Sequence, residues 1–529
     1  MSRMRKTRPW ALLLAIGLLG AFPTPSSASH GFLTSDPPFV SLGPDAAAGS
    51  ELQAIISVGE DGGTPGFLFE GIPDGIGIKP GPWADTVDVF VTHEQSTVPF
   101  PPLSGALGPP LADFVDSSIS KLTLDIRPDH FGEVLAAEVA LPSSQGFLRF
   151  CSAFMAGPDE GFSRYTFFAN EETNDIVDVP PGAIYGPDPA LAPQRQGGYA
   201  VVLDAESGEF THVPGMGRHN HENSVVIPGG WNQYAIVSTD DTFTATTSQL
   251  YMYLANQERH IWQDKGSLWA FRVTGTQDGP VDPGDPFNDA NDYLDLSPGE
   301  DFQGEFIRVP KEIAKGLTDE APQDALENWS VENNVFTFVR LEDLAYDRHD
   351  PRTVYIADTG ASRVIPDPAT GRITRGPSGT VGQADNGRIF QMVFNDKNPR
   401  KVDSLTVLAQ GDDASLPVFV PFRAPDNIDT SEVSLMVQED ASDAKVWQHV
   451  LGTSDWLHVA TVNDPDGESS GIVDASEWFG DGWWMLDVQS HGVFQESEVV
   501  ENPLGQEFPD LTLKREDGQL LLMNIPGST

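Results

Sequence analysis

The sequence predicts an all-β fold, a β-propeller carrying long acidic loops, and three observations lead there. Among its 529 residues are 51 glycines and 43 prolines, so turns are numerous. Short β-branched or aromatic runs recur along the chain, each ending in an acidic residue and a Gly, Asp or Asn turn. Sustained helical periodicity is nearly absent, and 309–317 is its best short exception. With 39% hydrophobic residues the chain can build a large core, which excludes global disorder.

Taken in order, residues 1–28 read as a secretory signal of the ordinary Sec type. Arg3, Arg5, Lys6 and Arg8 precede an apolar stretch, 10–22, and then the small residues Ser26-Ser27-Ala28. That stretch is too short to span a bilayer comfortably and no later one is long enough, so no stable membrane insertion is expected. Residues 29–529 are read as one exported propeller domain, secreted or periplasmic and monomeric. Within 31–115, rich in Gly and Pro, the run 87–92 is strand-like. Residues 199–204 turn through 205–208 into 209–213 as a hairpin, and strands are expected around 234–238, 250–254, 267–273, 353–357, 388–394, 435–437 and 520–524. So many short hairpins must hide their edges, and radial closure does this. The repeats are too divergent to give a blade number by themselves. An insertion is expected around 276–332; its acidic part, with Asp278, Asp282, Asp285, Asp289, Asp292 and Asp295, reads as a solvated loop or a calcium site.

Composition removes several functions. A single cysteine allows neither an internal disulfide nor a multi-cysteine metal site. With 78 acidic against 31 basic residues, a net charge of −47 argues against nucleic acid or anionic lipid as partner. No P-loop and no His-Glu-x-x-His occurs, and no nucleophile elbow has a plausible His and Asp arrangement. What remains is carboxylates at strand ends, Glu171-Glu172, Glu222, Asp240-Asp241, Glu342-Asp343 and Glu439-Asp440, with Asp426-Asn427 in a Pro-led turn. Gathering them is costly unless cations neutralise them, and oxygen-rich groups suit calcium or ferric iron. Each alone also reads as a turn residue. Cys151 reads first as a small buried hydrophobe, and His221 as an orienter of Glu222 or a satisfied strand-end histidine. The fragment 462–468 lacks the full pattern of an EF-hand.

In order along the chain, RFCSAF, FFANEET, GRHNHENSVVIP, STDDT, GSLWAF, VRLEDLAYD, DNGRIFQ, APDNID, GIVDASEWFG and WWMLDVQSHG resemble the PhoX family of secreted alkaline phosphatases. The resemblance runs from about Asp74 to Gln489. It implies a six-bladed propeller whose channel holds an iron pair and calcium ions and hydrolyses phosphomonoesters, with a metal-bound oxygen as nucleophile. It implies metal ligands among Asn170, Glu171, Glu172, Glu222, Glu342, Asp426, Asn427 and Asp440, with Arg340 holding the phosphate of a small phosphorylated substrate. His93-Glu94 is taken as structural. The family's iron-binding cysteine is matched by Asn170, an amide better suited to calcium, with Cys151 lying outside that motif. Two other readings stand beside it: a different propeller hydrolase, phytase-like or lactonase-like, and a secreted calcium-binding propeller without catalysis.

Overall fold

A computed structural model describes residues 31–529 apart from 95–116, 243–246, 286–289, 319–320, 465–466, 496–499, 502–506 and 509–511. The signal-like segment 1–28 lies outside the described residues. The described chain is dominated by antiparallel strands arranged as a propeller. Six strands line its centre: Pro73–Pro80, Phe150–Ala156, His221–Ile227, Leu341–Tyr346, Pro425–Thr430 and Gly467–Asp474. Each packs against the next, and the last against the first, so these inner strands form a closed ring.

Each inner strand opens a meander that runs outward. The first continues through Thr86–His93, Ser118–Asp125 and Val134–Leu141. The second continues through Thr166–Glu171, Ala200–Asp204 and Phe210–His212. The sixth is closed by a strand from the other end of the chain: Glu51–Ser57 pairs with Thr512–Asn524, whose other edge pairs with Trp483–Gln495. Joining the two ends of the chain in one sheet leaves no open seam in the ring.

Apolar layers fill the gaps between successive sheets, as period-two alternation requires. Phe168, Ala200 and Val202 of the second sheet meet Val226, Ile236 and Tyr253 of the third. Met436 and Val446 of the fifth meet Trp484 and Leu486 of the sixth. The expected insertion contributes structure of its own. Phe302–Arg308 pairs with Ser267–Thr276 on one side and Lys401–Gln410 on the other, fusing the third and fourth sheets into one. In its acidic part, Asp295 accepts the amides of Asn291 and Asp292, and Asp292 accepts those of Leu294 and Ile373. These carboxylates serve turns.

A repeated irregularity prepares the centre. The first five inner strands shift register at their very start, between Pro73 and Ile76, Phe150 and Ala153, His221 and Ser224, Leu341 and Leu344, and Pro425 and Ile428. In the sixth the shift falls between Ser470 and Ile472. A bulge leaves residues without a ladder partner and re-aims their side chains.

Candidate metal centre

The second residue of the six inner strands is, in turn, Asp74, Cys151, Glu222, Glu342, Asp426 and Glu468. A second ring of acids comes from the neighbouring strands, just past their ends: Glu94, Glu172, Asp241 and Asp440 follow His93, Glu171, Asp240 and Glu439. The two rings interlock. Ligand atoms lie within 4.8 Å of one another in four groups: Asp74–Glu94–Cys151, Cys151–Glu172–Glu222, Glu172–Asp241–Glu342 and Glu222–Glu342–Asp426. Shared members join the groups into one chain of donors.

A polar layer supports this chain from below. Ser152 Oγ donates to Glu222 Oε1 at 2.5 Å and accepts Asn427 Nδ2 at 2.6 Å. Gln489 Nε2 donates to Asp74 Oδ2 at 3.0 Å and Glu94 Oε1 at 3.1 Å, while Cys151 Sγ lies 3.1 Å from Asp74 Oδ2. Two arginines grip the carboxylates from the other side. Arg149 Nε lies 3.0 Å from Glu94 Oε2 and 3.2 Å from Glu172 Oε2. Arg340 forks onto Asp241 through Nε at 2.8 Å and Nη2 at 2.6 Å, and reaches Glu342 at 3.5 Å.

The electrostatics of this group demand cations. Burial, with Glu94 adding, raises Asp74 to about 7. Burial pushes Glu222 well above the carboxylate range, with Glu172 and Asp74 adding. Glu342 moves the same way through burial and then Asp241 and Asp426, and Asp426 through burial and then Glu222. For Glu172, burial outweighs the help of Arg149, and Asp241 and Glu94 push it further up. Two guanidiniums do not offset so many carboxylates. Orphaned oxygens point the same way: Asn170 Oδ1 and both oxygens of Asp487 are buried and find no hydrogen-bond partner among the described residues. An oxygen-rich donor set with one thiol therefore fits multivalent cations.

A family profile for alkaline phosphatase PhoX matches residues 164–477. The chain belongs to the PhoX family. A structure of Pseudomonas fluorescens PhoX in complex with vanadate, a transition state analogue, aligns over 94% of this chain and 97% of that one, at 13% identity and a TM-score of 0.58. At that identity it speaks for the propeller fold. A glucose dehydrogenase (12% identity, 74% of this chain, 82% of that one) and the apo soluble aldose sugar dehydrogenase of Escherichia coli (10%, 75% and 88%) reach a TM-score of only 0.30. No curated protein matches the chain. PhoX-family membership makes this a phosphomonoesterase fold with a metal-dependent chemistry.

The PhoX residues expected from sequence do not all converge. Glu172, Glu222, Glu342 and Asp426 join the donor groups. Asp440 stands beside them, half-buried, and acts electrostatically on Asp426 and Arg340. Asn427 binds from the supporting layer. Glu171 is turned away: strand alternation puts it on the opposite face from its neighbour. It pairs with the fully buried Arg195 at 2.6 and 3.0 Å and accepts the amides of Leu148 and Tyr199. Asp358 and Glu439 anchor backbone amides from the corresponding ends of their sheets. Asn170 sits in the supporting layer, its amide nitrogen donating to Ser152 O at 2.9 Å. Cys151, read from the sequence first as a small buried hydrophobe, joins two of the donor groups. The bulge at the start of its strand turns it toward Asp74 rather than into the core.

His221 does not orient Glu222; its ring contacts Ser238 Oγ and Gly217 O. Asp343 is likewise structural, accepting Asn223 Nδ2 at 2.6 Å and Ile428 N at 3.0 Å. Sequence reasoning passed over Asp74 and Arg149, and it took Glu94 as structural, whereas Glu94 stands in a donor group. Their signal was positional: each lies at the same place in its sheet as a recognised residue, Glu94 matching Glu172 and Arg149 matching Arg340.

Proposed function

We propose that this protein is a metal-dependent alkaline phosphomonoesterase whose site is the donor chain at the centre of the inner ring. Support comes chiefly from the convergence of Glu172, Glu222, Asp241, Glu342 and Asp426 beside two arginines in a PhoX-family chain. The all-oxygen groups, Glu172–Asp241–Glu342 and Glu222–Glu342–Asp426, would hold calcium. The two groups containing Cys151 would hold iron, because a thiolate favours a softer ion. Multivalent ions held by these residues would supply Lewis-acid charge stabilisation and would lower the pKa of water.

The chain's own residues do the rest. Asp241 takes the Nε and Nη2 edge of Arg340 and holds its guanidinium in one orientation, pre-organised to meet phosphoryl oxygens. Ser152, Asn427 and Gln489 fix the carboxylates from below, so that their geometry does not depend on the ions alone. A phosphate dianion approaching so acidic a protein would otherwise be repelled, and bound multivalent ions together with these guanidiniums would reverse the potential locally. PhoX-family members are secreted or periplasmic, and no helix among the described residues is long and apolar enough to cross a membrane. We read residues 1–28 as the export signal.

Elemental analysis of purified protein, alongside nitrophenyl phosphate hydrolysis with and without chelator, tests the reading. Calcium together with iron and chelator-sensitive hydrolysis is expected. Cys151→Ser is expected to lose iron and keep calcium. Calcium binding without hydrolysis of any ester would replace the enzyme with a non-catalytic calcium binder, and cleavage of a lactone but not of a phosphate would make it a lactonase.

A further inference from the structure

We infer that Arg149 is a second phosphate-holding residue, and that it and Arg340 together select the dianionic phosphate of a monoester over that of a diester. The inference rests on the phosphatase reading above and extends it to a residue and a substrate class.

The first support is positional. Arg149 directly precedes the second inner strand and Arg340 the fourth, each two residues ahead of a donor, Cys151 or Glu342. Equivalent places in a radial repeat face the axis in the same way. The second support is contact. The oxygens of Glu172, Asp241 and Glu342 lie within 4.8 Å of one another; Arg149 holds the Glu172 corner, Arg340 the other two. An anion brought to that triangle meets both guanidiniums.

The third support is exposure. The two side chains remain 24% and 23% exposed, while the carboxylates they grip are at most 4% exposed. Both cations therefore stand on the solvent side of the acids, where a substrate arrives.

Chemistry sets the substrate class. A terminal phosphate offers three non-bridging oxygens and close to two negative charges, enough for two planar forks. A diester offers two such oxygens and one charge, so one fork is left poorly matched.

The test compares wild type, Arg149→Gln and Arg149→Lys for phosphate binding by calorimetry, hydrolysis of nitrophenyl phosphate and bis(nitrophenyl) phosphate, and bound metal. Arg149→Gln is expected to weaken phosphate binding and monoester kcat/KM by about tenfold to a hundredfold. Diester turnover should change less than about threefold at unchanged metal content, and Arg149→Lys should recover only part, since an ammonium lacks the fork. Unchanged phosphate affinity in Arg149→Gln would overturn the inference. So would full recovery by lysine, or equal losses on both esters. If Arg149→Gln fails to fold, the lysine variant decides by the same ratio of esters. A wild type that hydrolyses neither ester refutes the phosphatase reading, and the phosphate affinities still judge Arg149.

Discussion

Replacing Glu222 by glutamine should make the metal-stripped protein more stable and the metal-loaded protein worse. Glu222 belongs to two donor groups, with partner atoms no more than 4.8 Å away. At that distance and an effective dielectric of about 20, each pair of ionised carboxylates repels by about 3.5 kcal/mol. Protonation relieves part of this, because Glu222 and Asp426 are both raised well above the carboxylate range. We therefore expect a net gain of roughly 1–3 kcal/mol at pH 8 from removing one charge in chelator. Glutamine keeps the shape and an acceptor for Ser152 Oγ. With metals present the sign reverses, since a shared donor is lost from both groups and metal content should fall. Melting curves with excess chelator and with added calcium, plus elemental analysis, read both arms. If Glu222→Gln melts below wild type in chelator and keeps its metals, the cluster is not held together by cations.

Other outcomes follow from the same geometry. Asp343 and Asp358 are each raised to about 7, chiefly by burial. Their folded values exceed the unfolded ones, so the native state binds more protons and loses stability as pH rises through about 4 to 7. The melting temperature of stripped protein should fall from pH 5 to pH 8, and added calcium should flatten or reverse that slope because it binds the ionised donor carboxylates Glu222, Glu342 and Asp426; a rise in chelator would contradict the assignment. Glu171→Gln should cost roughly 3–5 kcal/mol in urea unfolding, because it leaves Arg195 buried and unpaired, yet leave metal content per folded molecule unchanged. Glu172→Gln should do the opposite. Gly471→Ala should destabilise by more than about 1 kcal/mol and disturb metal binding. At φ 37° its new methyl would stand 2.1 Å from the carbonyl oxygen of Asp74.

The all-β propeller was legible because its cues are local. Turn residues and alternating runs mark strands such as Thr353–Asp358 and Arg388–Phe394 wherever they occur. The helix at Pro322–Glu332 escaped notice because few of its positions are apolar; its buried residues are Pro322, Ala325, Leu326 and Ser330. At the site, the chain shows carboxylates at strand ends, and Glu222 and Glu342 were singled out that way, Asp426 by its Pro-led turn. Choosing between Glu171 and Glu172 needed the side of the strand each occupies. Placing Cys151 needed a bulge, which no residue pattern announced.

By itself the sequence determined that strands would dominate and that acidic oxygen donors would crowd the ends of those strands. Those follow from composition and from neighbours a few residues apart. Only the tertiary structure decided which donors meet. Asp74, Cys151, Glu222 and Asp426 lie on four different inner strands, and a closed ring of bulged strands brings their second residues to one axis. Proximity across such separations is a property of closure, which no local stretch of chain encodes.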